Sequence, residues 1–279
     1  MKHLKKALVL VLALVLASTT ALAAEKVIIG ATPVPHLVVL EFIKEDLLAL
    51  GFELEIQEFT EYPIPNPATA AGDLDANYFQ HAPYLNAYNA SVNEKEQLVA
   101  VIGVHYEPYG IYAGTKSNLD ELAEGDHIAV TNDPSNETRA LLLLQEAGII
   151  KLDESITADS SATKEDIIEN PKNVVIDELN AELIPLALPD VAFAVINGNY
   201  AIGAGLSPAK DALLLEAADG ESGKIYTNYV VVRPEDENAL FVEALRSVLQ
   251  SQKTYDFILN NEDFKGGVIP AFTVPAPAN

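Results

Sequence analysis

Past residue 25 the chain alternates short apolar runs with longer stretches of helical spacing. KVIIGA (26–31) is a β-branched run of strand length. From His36 to Leu50 apolar residues recur at helical spacing, and the pattern stops at Gly51, a residue type that closes helices. FELEIQEF (52–59) then alternates Phe52, Leu54 and Ile56 with acids, the pattern of a half-buried strand. Strand, helix and strand with short connections predict a parallel sheet. Further strands are predicted at HIAVTND (127–133), NVVIDEL (173–179), VAFAVING (191–198) and YTNYVVVR (226–233). SNETRALLLLQEAG (135–148) reads as a helix with Ser135 or Asn136 as cap and Gly148 as terminator, and Glu235 to Leu259 reads as one long helical stretch. FTVPAPAN is expected to be a loosely held end. The length exceeds the comfortable size of one core, yet no repeat or low-complexity linker divides it. Two α/β lobes, with the chain crossing between them more than once, accommodate both facts. Ligands of such folds bind beyond the C-terminal ends of strands.

The first residues, MKHLKKALVLVLALVLASTTALAAEKV, change the picture of where the protein works. Lys2, Lys5 and Lys6 precede the apolar run Ala7 to Ala17, and Ala21-Leu22-Ala23 offers a cleavage site, which together read as a signal peptide over residues 1–23. An 11-residue apolar run is short of the roughly 20 a spanning helix needs. The expectation is an exported protein, periplasmic or extracellular, beginning near Ala24. Without the three signal lysines, 14 basic residues face 41 acidic ones, a formal charge of −27. Such a surface repels nucleic acid and anionic headgroups. No cysteine is present, which excludes disulfides, thiolate metal sites and a lipid-bearing cysteine from this sequence.

No G-x-S-x-G, G-x-x-x-x-G-K-[ST], H-E-x-x-H or G-x-G-x-x-G motif occurs. Asp73, Asp75 and Asn77 mimic the start of a calcium loop, but Tyr78 stands where its Gly belongs and Tyr84 where its Glu belongs. His36, His81, His105 and His127 show no metal-ligand spacing, so neither a metal nor another cofactor is expected, although the four could converge in space. With acids so abundant, a carboxylate pair carries no signal of catalysis. An enzyme is not expected.

Positive charge is scarce, with arginine only at 139, 233 and 246. Arg139 falls near the start of the helix after TNDPSN, where its planar fork can hold a carboxylate; the plain alternative is a pair with Glu137 or another acid. In VINGNYAIGAG (195–205), Asn197, Gly198 and Asn199 follow a buried strand directly, so the amides can meet an ammonium or a carboxylate; for Asn199 an ordinary turn is the simpler reading. Asn228 sits within the apolar strand YTNYVVVR and, if buried, needs a partner from a ligand or the hinge. In DANYFQHAPYL (75–85), Phe79 and Tyr84 offer apolar walls with His81 at their edge, and Tyr62 is a further wall. Such a box suits a polarisable thioether, while such aromatics taken in isolation are more often core.

ATPVPH (31–36), DLDANYFQHAPYL (73–85), VHYEPYGIY (104–112), NDPSNETRALLLLQEAGIIKL (132–152), ENPKN (169–173) and DVAFAVINGNYAIGAGL (190–206) resemble the NlpA/MetQ family, the methionine-binding proteins of bacterial ABC importers. The likeness covers nearly the whole chain after the signal, in order. It implies a two-lobed type II periplasmic-binding-protein fold with a hinge and an interlobe ligand cleft, residues 24–110 with 228–279 in one lobe and 111–227 in the other. It implies capture of methionine, the L form first, with the D form, a methionine dipeptide or another apolar amino acid as alternatives. By the same likeness a monomer delivers it to an inner-membrane permease and ATPase. Arg139 would hold the carboxylate, Asn197 and Asn228 the backbone polar groups, and Tyr62, Phe79, His81 and Tyr84 the side chain, with Asn136 shaping the loop before Arg139. Three features depart from the family pattern: no lipid-bearing cysteine, a proline-rich EYPIPNPATA (61–70) beside Tyr62, and Thr131 where proline is usual.

Overall fold

The computed structural model describes residues 24–217 and 222–274; the signal-peptide reading and the last five residues lie outside them. β1 (Glu25–Ala31) and β2 (Phe52–Glu58) pair in parallel, joined by a turn at Pro33–Leu37 and the helix Val38–Ala49. Val34 keeps extended dihedrals, so the helix starts two residues later than the apolar spacing suggests and leaves His36 in the turn. Gly51 closes it with φ +94°, a left-handed conformation that glycine adopts without a Cβ clash.

β3 (Ala76–His81), β4 (Val99–Tyr106), β12 (Thr227–Val232) and β13 (Ile269–Pro270) complete a first sheet in the order β13-β4-β12-β3-β1-β2. β5 (Gly110–Ala113), β6 (His127–Thr131), β9 (Val175–Leu179), β10 (Phe193–Ile196) and β11 (Ala212–Leu215) form a second, in the order β11-β5-β10-β6-β9. A separate ribbon joins β7 (Lys151–Leu152) and β8 (Ile167–Glu169). The chain leaves the first sheet after Tyr106 and returns at Thr227, where β12 inserts antiparallel between β3 and β4. That double passage produces two α/β lobes without a linker.

Each lobe has its own apolar centre. The first packs Val27, Ile29, Leu40, Ile43, Val230, Val242 and Leu245. The second packs Ile128, Val130, Leu141, Leu144, Phe193 and Val195. One residue crosses over: Ile202, from the helix Gly198–Gly203 after β10, sits in the first lobe's core. The same helix sends the Tyr200 hydroxyl to the Thr60 carbonyl, at 2.7 Å. Nearby, Lys265 Nζ donates to the Gly205 carbonyl at 2.6 Å, and Ser207 Oγ to the Lys265 carbonyl at 3.1 Å.

Three local expectations change. The helix Pro134–Glu146 is capped by Asp133, whose carboxylate accepts from the Asn136 backbone at 3.0 Å, rather than by Ser135 or Asn136. The stretch 235–259 is two helices, Leu240–Leu249 and Gln252–Asn260, because Ser251 takes extended dihedrals and caps the second through Thr254. ANYFQH is a strand buried at every position, and VAVIGVHY another, neither of which the apolar spacing had marked.

Candidate functional site

β3 lies between β1 and β12 inside the first sheet, and every one of its residues is buried. Tyr78 points into the first lobe's core, while Phe79 and His81, two apart and therefore on one face, look toward the second lobe. His81 ends the strand and caps the helix Ala82–Ser91, its Nδ1 accepting from the Tyr84 backbone at 3.2 Å. That cap places Tyr84 against Phe79, ring centroids 5.6 Å apart and nearly perpendicular. Tyr62 completes the cage, 5.9 Å from Phe79 and 5.8 Å from Tyr84. Its hydroxyl donates across the cleft to Asn199 Oδ1 at 2.6 Å. Asn199 is thus a buried cleft residue, not the simple turn the sequence suggested. Tyr62 lines the cavity from within this proline-rich segment.

The second lobe supplies a chain of amides. Asp133, besides capping the helix, accepts from Asn136 Nδ2 at 2.8 Å and so fixes the direction of that amide. Asn136 Oδ1 then receives His81 Nε2 at 3.1 Å across the cleft and Asn197 Nδ2 at 2.8 Å. Asn197 Oδ1 accepts from Tyr109 Oη at 3.1 Å and from Thr131 Oγ1 at 3.0 Å. Thr131, the departure from the family pattern, therefore adds a donor to the network. Burial, then the charge of Arg139, pushes His81 down to about 3, so the ring is neutral at ordinary pH.

Arg139 is one turn beyond Asn136 and buried. Tyr226 lies under its guanidinium at 3.9 Å and Tyr109 at 4.9 Å. Nε stands 3.2 Å and 3.3 Å from the two Glu216 oxygens, and Nη2 bonds both Glu216 and the Glu107 carbonyl, the latter at 2.8 Å. The acid partner is Glu216, not the neighbouring Glu137. One edge of the fork is committed to it, so the two-point grip expected for a ligand carboxylate is shared with the protein. Burial opposes ionisation of both groups, yet the pairing wins: Arg139 is raised and Glu216 lowered.

Glu107 follows β4 and is buried 5 % exposed, with Gly198 packed so tightly on it that a Cβ there would sit 2.8 Å from Oε2. Burial raises its pKa, opposed by the charges of His36 and Arg139 and the Asn199 backbone amide. His105 Nε2 lies 2.7 Å from Glu107 Oε1. His36 Nε2 lies 3.0 Å from Asn228 Oδ1. That is the partner the buried Asn228 required. His36, His105 and Glu107 bring three ligating atoms within 4.8 Å of one another, the sole such group among the described residues and one the sequence spacing did not reveal. Each imidazole is nevertheless already hydrogen-bonded at both nitrogens, which leaves no lone pair aimed at a common ion.

Tyr62, Phe79, His81, Tyr84, Arg139, Asn197, Asn228 and Asn136 all line one narrow cavity between the lobes. Sequence reasoning missed Glu107, His36, Gln80 and Asn199, which line it too, and Glu216 behind it. Glu107 carried a signal, an acid inside the aromatic run VHYEPYGIY, but it was one of 41. Chemically, the cavity joins an apolar aromatic cage to a polar end holding one committed cation, one buried carboxylate and fixed amides.

The family model described as NlpA lipoprotein matches residues 27–272. The chain is 41% identical over 221 residues to the D-methionine-binding lipoprotein MetQ of Escherichia coli K12, covering 78% of each. It is 37% identical over 251 residues to the methionine-binding lipoprotein MetQ of Bacillus subtilis, covering 88% of each. Among solved structures, a nutrient binding protein from Burkholderia cenocepacia bound to methionine superposes with a TM-score of 0.82 at 38% identity, over 88% of this chain and all of that one.

Proposed function

The chain belongs to the NlpA lipoprotein family, and on that premise we propose that it is an extracytoplasmic solute-binding protein that captures methionine and delivers it to an ABC importer. One observation supports the reading: a single interlobe cavity is lined both by Arg139, Glu107 and Asn228 and by Tyr62, Phe79 and Tyr84. The ligand carboxylate meets the free edge of Arg139 and an Asn228 Nδ2–H. The ammonium meets Glu107, which is buried and held by His105 Nε2 at 2.7 Å. The thioether enters the cage, where a polarisable sulfur gains about 0.3–1.5 kcal/mol from each ring-edge contact. His81, Asn136 and Asn197 are occupied with one another, so they shape the cavity more than they grip its contents.

The lobes enclose the ligand, and the crossing at 107–109 serves as part of the hinge. We read the protein as a monomer serving a permease and ATPase in the inner membrane. The named relatives are lipoproteins, whereas these 279 residues contain no cysteine to carry a lipid; fractionation of cells locates the mature form.

Mass spectrometry of whatever co-purifies tests the ligand directly, with L-methionine expected and D-methionine or a methionine dipeptide as the rival outcomes. Calorimetry on protein stripped by unfolding and refolding then measures binding. Absence of heat with L- and D-methionine at about millimolar ligand, a Kd that corresponds to only about 4 kcal/mol, overturns the assignment.

A further inference from the structure

Behind the polar end of the cavity stand two buried histidines whose outer nitrogens are each held by a hydroxyl. Thr32 Oγ1 lies 2.7 Å from His36 Nδ1, and Tyr78 Oη is hydrogen-bonded to His105 Nδ1. The inner nitrogens face oxygens: Glu107 Oε1 at 2.7 Å from His105, and Asn228 Oδ1 at 3.0 Å from His36. With Glu107 ionised and Asn228 Oδ1 facing His36, both Nε2 atoms carry the proton. In a neutral ring Nδ1 is then the acceptor, and both hydroxyls donate to it. Burial keeps the rings neutral, His36 down to about 4 and His105 to about 3. They therefore supply donors without supplying a second positive charge.

The consequence concerns which ligands the amine end accepts. A donor relay from Tyr78 through His105 favours the ionised form of Glu107, and the relay from Thr32 through His36 fixes Asn228 with its oxygen turned away from the ligand carboxylate. We propose that Tyr78–His105 is a positioning pair that makes the cleft selective for a free α-ammonium group, so that amino acids are taken and the matching 2-hydroxy acids and N-acyl derivatives are refused, while Thr32–His36 positions Asn228 for the carboxylate that all of them share. This rests on the methionine reading of the cavity. A buried carboxylate left without its cation is the penalty for the wrong ligand, since sites built to satisfy a polar group reject analogues lacking it by large factors. The charged and titratable groups facing Glu107 are His36 from the turn, His105 from β4, Arg139 from its helix, and the Tyr62 and Tyr78 phenols.

The experiment compares L-methionine with its 2-hydroxy analogue and N-acetylmethionine by calorimetry, between about pH 5 and 8, in the wild type and in Tyr78→Phe, His105→Gln and Thr32→Val. The wild type is expected to prefer methionine over either analogue by about 100-fold or more. In Tyr78→Phe the His105 tautomer is released; the preference should fall about tenfold, and loss of methionine binding on acidification should begin at higher pH. Thr32→Val should weaken methionine and both analogues alike, because Asn228 addresses the shared carboxylate. A preference and pH profile unchanged in both Tyr78→Phe and His105→Gln overturn the proposal. So does one-to-one zinc binding that His105→Gln abolishes, because Nε2 would then present a lone pair. Methionine binding without discrimination against the analogues refutes this inference alone; a wild type that binds no methionine refutes the functional reading as well.

Discussion

Replacing Arg139 by alanine acts on two bodies at once, and the structure says how to separate them. Arg139 is 4 % exposed, and its Nε and Nη2 are bound to Glu216. For the ligand, the loss is a charge-assisted hydrogen bond in a dry cavity, about 1.5–3 kcal/mol, which weakens methionine binding by about 10- to 150-fold. For the fold, the loss is different: Glu216, its side chain only 11 % exposed, keeps its charge without a partner. Breaking one half of a buried ion pair costs about 3–5 kcal/mol, and the Glu216 edge open to water argues for the lower figure. In a chain of this size the melting temperature should drop by about 6–12 °C. The double variant Arg139→Ala/Glu216→Gln removes the stranded charge. It should recover most of the thermal stability and none of the affinity. Calorimetry with L-methionine and thermal unfolding followed by circular dichroism read the two quantities independently. A double variant that melts near the wild type and binds methionine within about threefold of it would refute the placement of the carboxylate.

Tyr62→Phe keeps the ring of the cage and removes the bond to Asn199 across the cleft; affinity measured by calorimetry should fall by about 2- to 12-fold, the net worth of one hydrogen bond. Gly198→Ala introduces a Cβ 2.7 Å from Glu107 Cβ, whereas one at Gly203 meets nothing within 4 Å. The first should weaken methionine binding by about tenfold or more through the displaced carboxylate, and the second should leave it unchanged in the same titration. Glu137 is pushed up to about 7 by burial and by the neighbouring Glu178. A raised carboxyl stabilises the fold fully below its ordinary value of 4.5 and loses that contribution as pH climbs toward 7. The melting temperature of the wild type relative to Glu137→Gln should therefore decline across that window, and a constant difference would refute the assignment.

Much of the architecture was legible because local pattern and tertiary environment agree. KVIIGA and FELEIQEF pair in parallel with one helix between them, as period and connection length required. Where they disagree, the pattern fails for a physical reason. ANYFQH is enclosed on both faces, so it has neither alternation nor an aliphatic run, and its Asn77, Gln80 and His81 are satisfied by side chains from elsewhere, Asn66 and Asn136 among them. The aromatic cage and Arg139 stood out because such residues are rare in this acidic chain. Glu107 and Glu216 were hidden by the opposite circumstance. What distinguishes them is burial and an appointed partner, and both arise only when segments about a hundred residues apart meet, as when Tyr106 Oη and Arg139 converge on Glu216.

Ile202 belongs to the second lobe by sequence and to the first by packing. A buried isoleucine contributes roughly 1.5–3 kcal/mol, so pulling it out each time a ligand enters would be a steep toll on the exchange rate. The expected outcome is that the short helix that carries it acts as an axle, around which the halves roll without separating. Entry then belongs to the far rim, where the helices Ala82–Ser91 and Pro134–Glu146 meet. Paired spin labels there should report a gap that widens when methionine leaves, while labels flanking the axle hold their distance.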